Sequence, residues 1–300
     1  MKQIKVKATK KSASPAAANC QKTSRSCPRI DVFLPVYNAS KYLRQALDSI
    51  IAQTYTNWRL FACDDASTDN SWEILKEYAA RDPRINIMRN KTNLRNGANC
   101  ERLLKYCTSQ YIAKMDADDI SLPDRFAKQL KYLQDNPDVI AVGGQCLLID
   151  KKGRIFGEKK FLTDPERVYQ SMFTTVPAQF PAVMFNSHVA PDPKTWYIGI
   201  HHSICDDVGL FFNISRYGKI TNLPDYVLKY RIHSQNSTLV DPKATFKITW
   251  KQRLDAIKTY NYKPTLRAWL TNIAQFVAVS IIPNRLIVPL FYFTKGVKIS

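Results

Sequence analysis

The chain has 300 residues, of which 45% are hydrophobic and 11% aromatic, so it has ample apolar side chains for a folded core and does not read as disordered or fibrous. None of its nine glycines lies in a G-x-G-x-x-G or G-x-x-x-x-G-K-[ST] string, which argues against a Rossmann dinucleotide site and a P-loop. The formal net charge is +19, from 44 lysines and arginines against 25 aspartates and glutamates.

The positive charge is concentrated at the two ends of the chain. Residues 1–29 contain eight basic residues and no acidic one, and residues 241–300 contain ten basic residues against two acidic ones. The segment 30–240 between them is nearly balanced at +3. Because a folded nucleic-acid-binding domain carries its basic residues on its own surface, we predict no nucleic-acid partner. A basic nucleic-acid-binding protein that uses only its two ends remains an alternative.

The first segment, residues 1–29, is rich in lysine, serine and alanine and has no apolar run long enough for the core of a signal peptide. We interpret it as a basic disordered tail, with contact to anionic lipid as the alternative. The seven cysteines include no C-x-x-C pair. Without a leader before them they indicate reduced thiols, so we expect a cytoplasmic protein.

Apolar runs that predict strands alternate with amphipathic segments that predict helices from residue 30 onward. The predicted strands are Ile30–Pro35, Trp58–Cys63, Ile85–Arg89, Tyr111–Met115 and Val139–Ile149. Helices are predicted after a capping Ser40, from Asn70 with Glu73 completing a capping box, over Asn99–Cys107, and after Ser121. This alternation predicts a largely parallel sheet with helices on both faces and ligands bound at the carboxyl ends of the strands.

An acidic D-x-D string follows the fourth predicted strand. Asp116 and Asp118 are separated by Ala117, and side chains two residues apart in an extended segment project to the same side. Two such carboxylates can hold Mg²⁺ or Mn²⁺ and leave coordination positions for the phosphates of a nucleotide. The alternative is a solvated acidic turn.

Two further pairs of adjacent aspartates are candidate functional residues. Asp64 and Asp65 follow the second predicted strand, where they can face a ligand or cap the next helix. Asp206 and Asp207 precede an apolar segment, and a carboxylate there can act as a general base if the fold returns it to the site. Nearby His201, His202 and Cys205 match no common zinc spacing.

Three ordered segments carry a resemblance to a known family. They are residues 34–75, the string AKMDADDISLPDRFAKQL, and the string CDDVGLFFNISRYGKITNLPDYVLKYRIHSQNST. Together they resemble glycosyltransferase family 2, the inverting GT-A enzymes, over residues 30–240. The resemblance implies a GT-A fold with a Rossmann-like, mostly parallel central sheet, helices on both faces and a C-terminal helical extension. It also implies Mn²⁺ or Mg²⁺ as cofactor and transfer of a sugar from a nucleotide-diphosphate donor, with a UDP-sugar expected.

The resemblance assigns roles to individual positions. It implies that nucleotide-sugar contacts come from Pro35, Val36, Tyr37, Asn38, Asp64, Asp65, Asp116 and Ala117. It implies that metal contacts come from Asp118, Asp116 and His233. Asp207 matches the general base of the family. The implied acceptor is a glycan or a lipid-linked glycan in cell-surface polysaccharide, lipopolysaccharide or glycolipid synthesis, and a non-catalytic GT-A scaffold is the alternative.

Three positions depart from the family pattern. Asp206 stands where a glutamate usually precedes the general base, and Arg95 stands where a small residue is common. Gln179 or Phe180 lies near the place of a histidine that the family uses in its acceptor segment. The resemblance therefore transfers the donor site more firmly than the acceptor site.

The last segment, residues 241–300, is predicted to be helical. Its apolar run Thr265–Ile282 is interrupted by polar residues and ended by Pro283, so it is too short to span a bilayer. Two interpretations remain open. The segment packs on the catalytic domain, or its tryptophan and phenylalanines dock to an anionic membrane surface, which would make the protein peripheral on the cytoplasmic face.

Overall fold

The computed structural model describes residues 27–190, 192–197, 205–233, 241–283 and 298–299. Most of the predicted basic tail, His201, His202 and the apolar run 286–293 lie outside the described residues. Within the described part the protein is a mixed α/β structure, which confirms the predicted fold class.

Strands and helices alternate through the first 140 residues of the described chain. The strands are β1 (Ile30–Val36), β2 (Trp58–Asp64), β3 (Ile85–Arg89), β4 (Tyr111–Lys114), β5 (Ile120–Ser121), β6 (Val139–Ile149), β7 (Ile155–Lys159), β8 (Met184–Asn186), β9 (Lys219–Arg231) and β10 (Lys298–Ile299). The helices are α1 (Leu43–Ile51), α2 (Ser71–Arg81), α3 (Arg95–Leu104), α4 (Arg125–Asp135), α5 (Pro165–Ser171), α6 (Asp206–Ile214), α7 (Pro242–Tyr260) and α8 (Leu266–Ile281).

One sheet runs through the described molecule in the order β10-β7-β6-β8-β4-β1-β2-β3, and β9 lies beside β6 and pairs with β5. The half formed by β4, β1, β2 and β3 is parallel, with Ile30 opposite Trp58 in β2 and opposite Tyr111 in β4. Strands β7 and β8 run antiparallel to their neighbours, so the other half is mixed. The parallel half brings the carboxyl ends of β1, β2 and β4 to one edge of the sheet.

Both faces of the sheet are covered. The even-numbered residues of β1 pack with α1, α2 and α4, whereas Phe33 packs on the opposite face with α3, α5 and α6. This alternation follows from the two-residue period of a strand. Phe126, Leu130 and Leu133 are buried on α4 as their spacing predicts.

One predicted helix start is wrong, and another is correct in position but lacks the predicted side-chain cap. Helix α1 begins at Leu43 rather than next to Ser40, and Asn70 makes no side-chain cap to α2. The carboxylate of Asp69 serves both starts instead, since it accepts hydrogen bonds from Ser40 N (2.9 Å) and Ser71 N (3.0 Å). A single half-buried carboxylate that serves two chain segments is a tertiary feature that local capping rules do not contain.

The C-terminal helices pack on the body of the protein. Tyr262, which joins α7 to α8, is buried against Tyr169, Phe173 and Phe212, and its hydroxyl donates to Tyr169 O at 2.7 Å. Asn272 Nδ2 donates to Phe173 O. Of the described helices, none is both long and apolar enough to cross a membrane.

The described cysteines differ from the expectation in one case. Cys63, Cys100, Cys107, Cys146 and Cys205 are buried, free thiols. Burial raises the pKa of Cys63 to about 12, so the thiol form dominates at neutral pH. Cys27 is joined in a disulfide, so the expectation of reduced thiols is wrong for that residue.

Candidate active site

A cleft of about 1050 Å³ opens at the carboxyl ends of β1, β2 and β4, where the parallel sheet is expected to bind ligands. The cleft brings together segments that are far apart in sequence. Ten of the eleven residues to which the sequence assigns a role line it, namely Pro35, Val36, Tyr37, Asn38, Asp65, Asp116, Ala117, Asp118, Asp207 and His233. The exception is Asp64.

Asp64 and Asp65 point to different surroundings. Asp64 is fully buried and forms an ion pair with Arg89 Nε at 2.9 Å. It therefore stabilises the end of β2 and does not line the cleft. Asp65 lines the cleft, and its Oδ1 accepts hydrogen bonds from Asn90 Nδ2 (2.6 Å) and Leu94 N (2.9 Å). These donors hold the Asp65 carboxylate in one orientation at the cleft.

The loop after β1 is fixed by the loop after β2. Asn38 has a positive φ of 46°, a conformation that asparagine adopts more readily than most residues. Its N–H donates to Ser67 Oγ at 2.9 Å, and its side-chain oxygen accepts from Thr68 N at 2.9 Å. The neighbouring Tyr37 is 50% exposed on the cleft wall, so its ring is free to stack on a flat ligand group.

Three carboxylates meet after β4. Asp116, Asp118 and Asp119 each offer an oxygen within 4.8 Å of the others. Asp119 is fully buried, and burial together with the charges of Asp118 and Asp116 raises its pKa well above the usual range of an aspartate. Its Oδ1 accepts from Arg231 N at 2.9 Å, whereas its Oδ2 has no hydrogen-bond partner among the described residues.

The unsatisfied Oδ2 of Asp119 indicates whether the cluster of three carboxylates can bind a metal ion. A buried carboxylate oxygen without a donor is costly, and a divalent cation bound to the cluster would satisfy it. Hard oxygen ligands of this kind suit Mg²⁺ and Mn²⁺. The donor set of Asp116, Asp118 and Asp119 therefore fits a divalent cation.

Two buried basic side chains, Lys114 and Arg231, contact the acidic loop that follows β4. The Lys114 ammonium is fully buried and forms an ion pair with Asp116 Oδ1. Arg231, also fully buried, donates from Nε to Asp118 O at 2.8 Å and from its two terminal nitrogens to Asp150 O (3.0 Å) and Gln45 Oε1 (2.7 Å). The positive charges offset the repulsion among the carboxylates and fix the loop before any ligand arrives.

His233 lies directly against this cluster. Its Nε2 is 2.9 Å from Asp118 Oδ2, and its ring stacks on Tyr42 with the centroids 5.4 Å apart. The same Tyr42 ring lies 4.4 Å from the guanidinium carbon of Arg231. The imidazole is thus oriented by an aromatic neighbour and can share with Asp118 whatever cation binds there.

Asp207 is the second residue of α6 and lines the same cleft. Burial, and next the charge of Asp206, raise the pKa of its carboxyl to about 6. An aspartate with that pKa is ionised at neutral pH and is a stronger base than an exposed one. The environment therefore suits proton abstraction.

The residues that depart from the family pattern also lie at the cleft. Arg95, the first residue of α3, lines it with a positive φ of 70°. Gln179 and Phe180 line it as well, and Gln179 Oε1 accepts from Lys159 Nζ at 2.6 Å. The amine of Lys159 thus contacts the side chain of Gln179, near the place at which the family has a histidine.

Asp119, Lys114 and Arg231 were given no role by sequence reasoning. Asp119 is adjacent to the D-x-D string, and that adjacency was an available signal. Lys114 lies in an apolar strand and Arg231 precedes the Y-R-I-H histidine by two positions, but neither is marked by its type or spacing. Arg231 reaches Asp118 and Asp119 because β9 pairs with β5, which follows them directly, whereas Lys114 pairs with Asp116 two residues further along the chain.

The amino-acid sequence is similar to those of known glycosyltransferases. Residues 31–189 match the family model described as glycosyl transferase family 2. EpsE of Bacillus subtilis (strain 168), a glycosyltransferase by its provisional name, is 40% identical over 129 residues, covering 43% of this chain and 46% of its own length. Chondroitin synthase of Escherichia coli is 25% identical over 254 residues, covering 81% of this chain and 35% of its own length. The chain thus spans less than half of each relative.

Solved structures resemble the fold. TarS residues 1–349 from S. aureus, crystallised with UDP-GlcNAc, superposes with a TM-score of 0.58 at 14% identity, covering 84% of this chain and 72% of its own. The mannosyltransferase PcManGT from Pyrobaculum calidifontis, in complex with GDP-Man and Mn²⁺, superposes with a TM-score of 0.55 at 15% identity, covering 86% and 82%. At such identities the likeness concerns the fold alone.

Proposed function

This chain belongs to glycosyltransferase family 2 and has the GT-A fold, and from this premise we propose that it transfers a sugar from a nucleotide-diphosphate donor to an acceptor hydroxyl with inversion at the anomeric carbon. One observation carries the proposal. A single cleft is lined by Asp65, by the acidic pair Asp116 and Asp118, and by the basic carboxylate of Asp207, which come from three separate segments of the chain. An inverting transfer needs a base on the face opposite the leaving group.

The nucleotide is proposed to bind at the end of the cleft formed by the loops after β1 and β2. Asp65, held by Asn90 and Leu94, would accept hydrogen bonds from the N–H groups of the base, and the exposed ring of Tyr37 would stack on it. A UDP-sugar is the proposed donor, in line with the UDP-GlcNAc bound by TarS. The GDP-Man bound by PcManGT makes a GDP-sugar the first alternative.

The proposed cofactor is Mn²⁺ or Mg²⁺, held by Asp116 and Asp118 with Asp119 and His233 beside them. When bound there, a divalent cation would neutralise the charge of the departing diphosphate. The chain itself keeps the carboxylates in place through Lys114 and Arg231, so the site is ordered before the donor binds.

Asp207 is the proposed general base. Its carboxylate would take the proton of the acceptor hydroxyl as the oxygen attacks the anomeric carbon, while the bond from that carbon to the diphosphate oxygen breaks on the other face. The nucleoside diphosphate then leaves with the electron pair of the broken bond. The pKa of about 6 leaves Asp207 ionised at neutral pH and able to accept the proton.

The proposed acceptor is a glycan or a lipid-linked glycan on the route to a cell-surface polysaccharide, lipopolysaccharide or glycolipid, and the proposed location is the cytoplasm. The name of the relative chondroitin synthase supports a polysaccharide product. Since the chain spans only 35% of that relative's length, the sugar and the acceptor of this protein need their own assay.

A donor screen tests the proposed activity. Thermal shift and donor hydrolysis are measured for the full chain with UDP-, GDP- and dTDP-sugars, each with Mn²⁺, with Mg²⁺ or with a chelator. We expect one donor to raise the melting temperature and to be hydrolysed only when metal is present. The matched variant Asp118→Asn should lose the metal-dependent part of the shift, whereas Asp192→Asn on the surface should behave like the parent. Absence of a response to every donor would contradict the proposal.

A further inference from the structure

Helix α8 exposes an apolar stripe to solvent. Large apolar side chains follow one another along it at spacings of four, three, four and four residues, which places them on one helix face. The stripe consists of Leu266, Leu270, Ile273, Val277 and Ile281. Leu266 and Ile281 are each 75% exposed and Leu270 is 60% exposed, so the stripe is turned away from the core.

The opposite face of α8 is the one that packs on the body of the protein. Ala268 and Asn272 are buried there, and Trp269 lies against Phe173 with the ring centroids 5.0 Å apart. Phe276 at the edge of the stripe contacts Trp250 of α7, with centroids 4.7 Å apart. Because α8 contacts the body of the protein through this other face, folding of the described domain does not need the outer stripe to be apolar.

Helix α7 beside it presents a basic stripe. Lys247, Lys251 and Lys258 are exposed and spaced by four and seven residues, so they share one helix face. Arg253 and Ala256 are buried, and they lie on the other side of the same helix. Seven lysines and arginines stand against two aspartates between residues 241 and 283. The outward apolar stripe of α8 and the outward basic stripe of α7 thus lie on two helices that contact each other through Phe276 and Trp250.

We propose that these two stripes form a docking surface for an anionic lipid membrane, with the apolar residues of α8 inserted at the interface and the lysines of α7 against the headgroups. Amphipathic helices with apolar and lysine-bearing faces bind membrane surfaces in this way without spanning them. Each lysine near an anionic surface contributes about 1 kcal/mol, which is about fivefold in partitioning.

The charge distribution favours lipid over a second copy of the chain. A symmetric dimer through the same face would bring the lysine stripe of α7 close to its own copy, and like charges repel. An anionic headgroup layer offers the opposite charge beside an apolar interior. The proposal does not depend on the catalytic chemistry, so membrane binding and sugar transfer can fail separately.

Vesicle flotation tests the docking surface with the full chain. We expect it to float with vesicles of mixed phosphatidylglycerol and phosphatidylcholine at about 0.1 M salt, and much less with pure phosphatidylcholine or at about 0.5 M salt. The double variant Leu270→Glu, Val277→Glu should reduce binding at least tenfold. The double variant Lys247→Gln, Lys251→Gln should reduce binding to anionic vesicles about 25-fold if each lysine contributes the fivefold factor.

A matched control distinguishes binding through this surface from non-specific binding through any exposed apolar residue. Ile155 and Leu162 are exposed apolar residues outside α7 and α8, so the variant Ile155→Glu, Leu162→Glu makes the same chemical change elsewhere and should bind like the parent. All variants are checked for an unchanged melting temperature. No binding by the parent chain, or equal binding by the α8 variant, overturns the proposal. So does a concentration-dependent dimer in light scattering that the α8 variant abolishes, because self-association would then occupy the stripe.

Discussion

Asp207 illustrates how one side chain can be costly for the fold and suited to chemistry. Burial and the adjacent Asp206 raise the pKa of its carboxyl to about 6, above the ordinary value of about 3.9 for an aspartate. Between these two pH values the folded state binds more protons than the unfolded state, so this residue lowers the stability of the protein as the pH rises through that interval. Asp207 thus lowers the free energy of unfolding at neutral pH, and it does so at a position that lines the cleft.

Replacing Asp207 should therefore separate activity from stability. We expect Asp207→Asn to lose sugar transfer by at least a thousandfold, because an amide cannot accept the acceptor proton. Its melting temperature at pH 8 should be unchanged or higher by about 2–4 °C, because the buried charge next to Asp206 is gone. Donor binding by thermal shift should survive. Retained turnover would rule out Asp207 as the base.

The pH dependence of transfer follows from the same carboxyl. A base must be deprotonated, so kcat/KM should rise with pH, reach half of its plateau near pH 6, and fall at lower pH. In Asp206→Asn the neighbouring negative charge is removed, so the pKa of Asp207 should decrease and the acidic limb should move to lower pH. A limb that stays in place would show that Asp206 does not act on the base.

At the scale of an element, the acidic loop after β4 depends on strand β9. Arg231 at the end of β9 donates to Asp118 O, Asp150 O and Gln45 Oε1, and its own N–H donates to Asp119. These bonds join three chain segments beneath the cleft. The loop therefore acquires its shape from a strand more than one hundred residues later in the chain.

Arg231→Lys should weaken this arrangement. A lysine cannot reproduce the three divergent bonds, so buried acceptors lose their donors and the free energy of unfolding should fall by about 2–4 kcal/mol. Mn²⁺ affinity in the presence of the donor nucleotide should fall as well, measured by calorimetric titration. The control Arg154→Lys changes a 74%-exposed side chain and should alter neither quantity. Unchanged Mn²⁺ affinity would leave Arg231 with a purely structural role.

At the scale of the whole molecule, the C-terminal helices complete the core on one face of the sheet. Tyr262 lies among Tyr169, Phe173 and Phe212 in a buried aromatic cluster. This packing and the exposed stripe of α8 occupy different faces of the same helices. The two interpretations of residues 241–300, packing on the domain or docking to a membrane, are therefore compatible for the described residues.

Removal of residues 241–300 should consequently harm the fold. The truncated chain 1–240 would expose Phe173 and Phe212, and we expect it to aggregate or to melt at least 10 °C below the full chain. Tyr262→Ala in the full chain should cost about 3–5 kcal/mol for the same reason. A soluble truncated chain with a parent-like melting temperature would show that the core does not need these helices.

Sequence patterns could predict the parallel half of the sheet and most of the cleft lining. Each strand from β1 to β4 is a short apolar run, and parallel strands expose their carboxyl ends at one edge, so Asp65 and Asp116 had to come close together. Local rules missed the start of α1 and the cap of α2, because the carboxylate of Asp69 accepts hydrogen bonds from Ser40 N and Ser71 N, which lie at the starts of the two helices. Asp64 likewise follows β2 but faces Arg89.

What the amino-acid sequence alone determined is the fold class, the family resemblance and the segments that carry the acidic residues, because these depend on residue type and short-range spacing. Tertiary structure alone decided which atoms meet. It buried Lys114 and Arg231 under the carboxylates, joined Asp119 to them, and turned the apolar stripe of α8 outward. The contacts of Arg231 with Asp118 and Asp119 join residues more than one hundred positions apart, and no local period or motif specifies a distance in space.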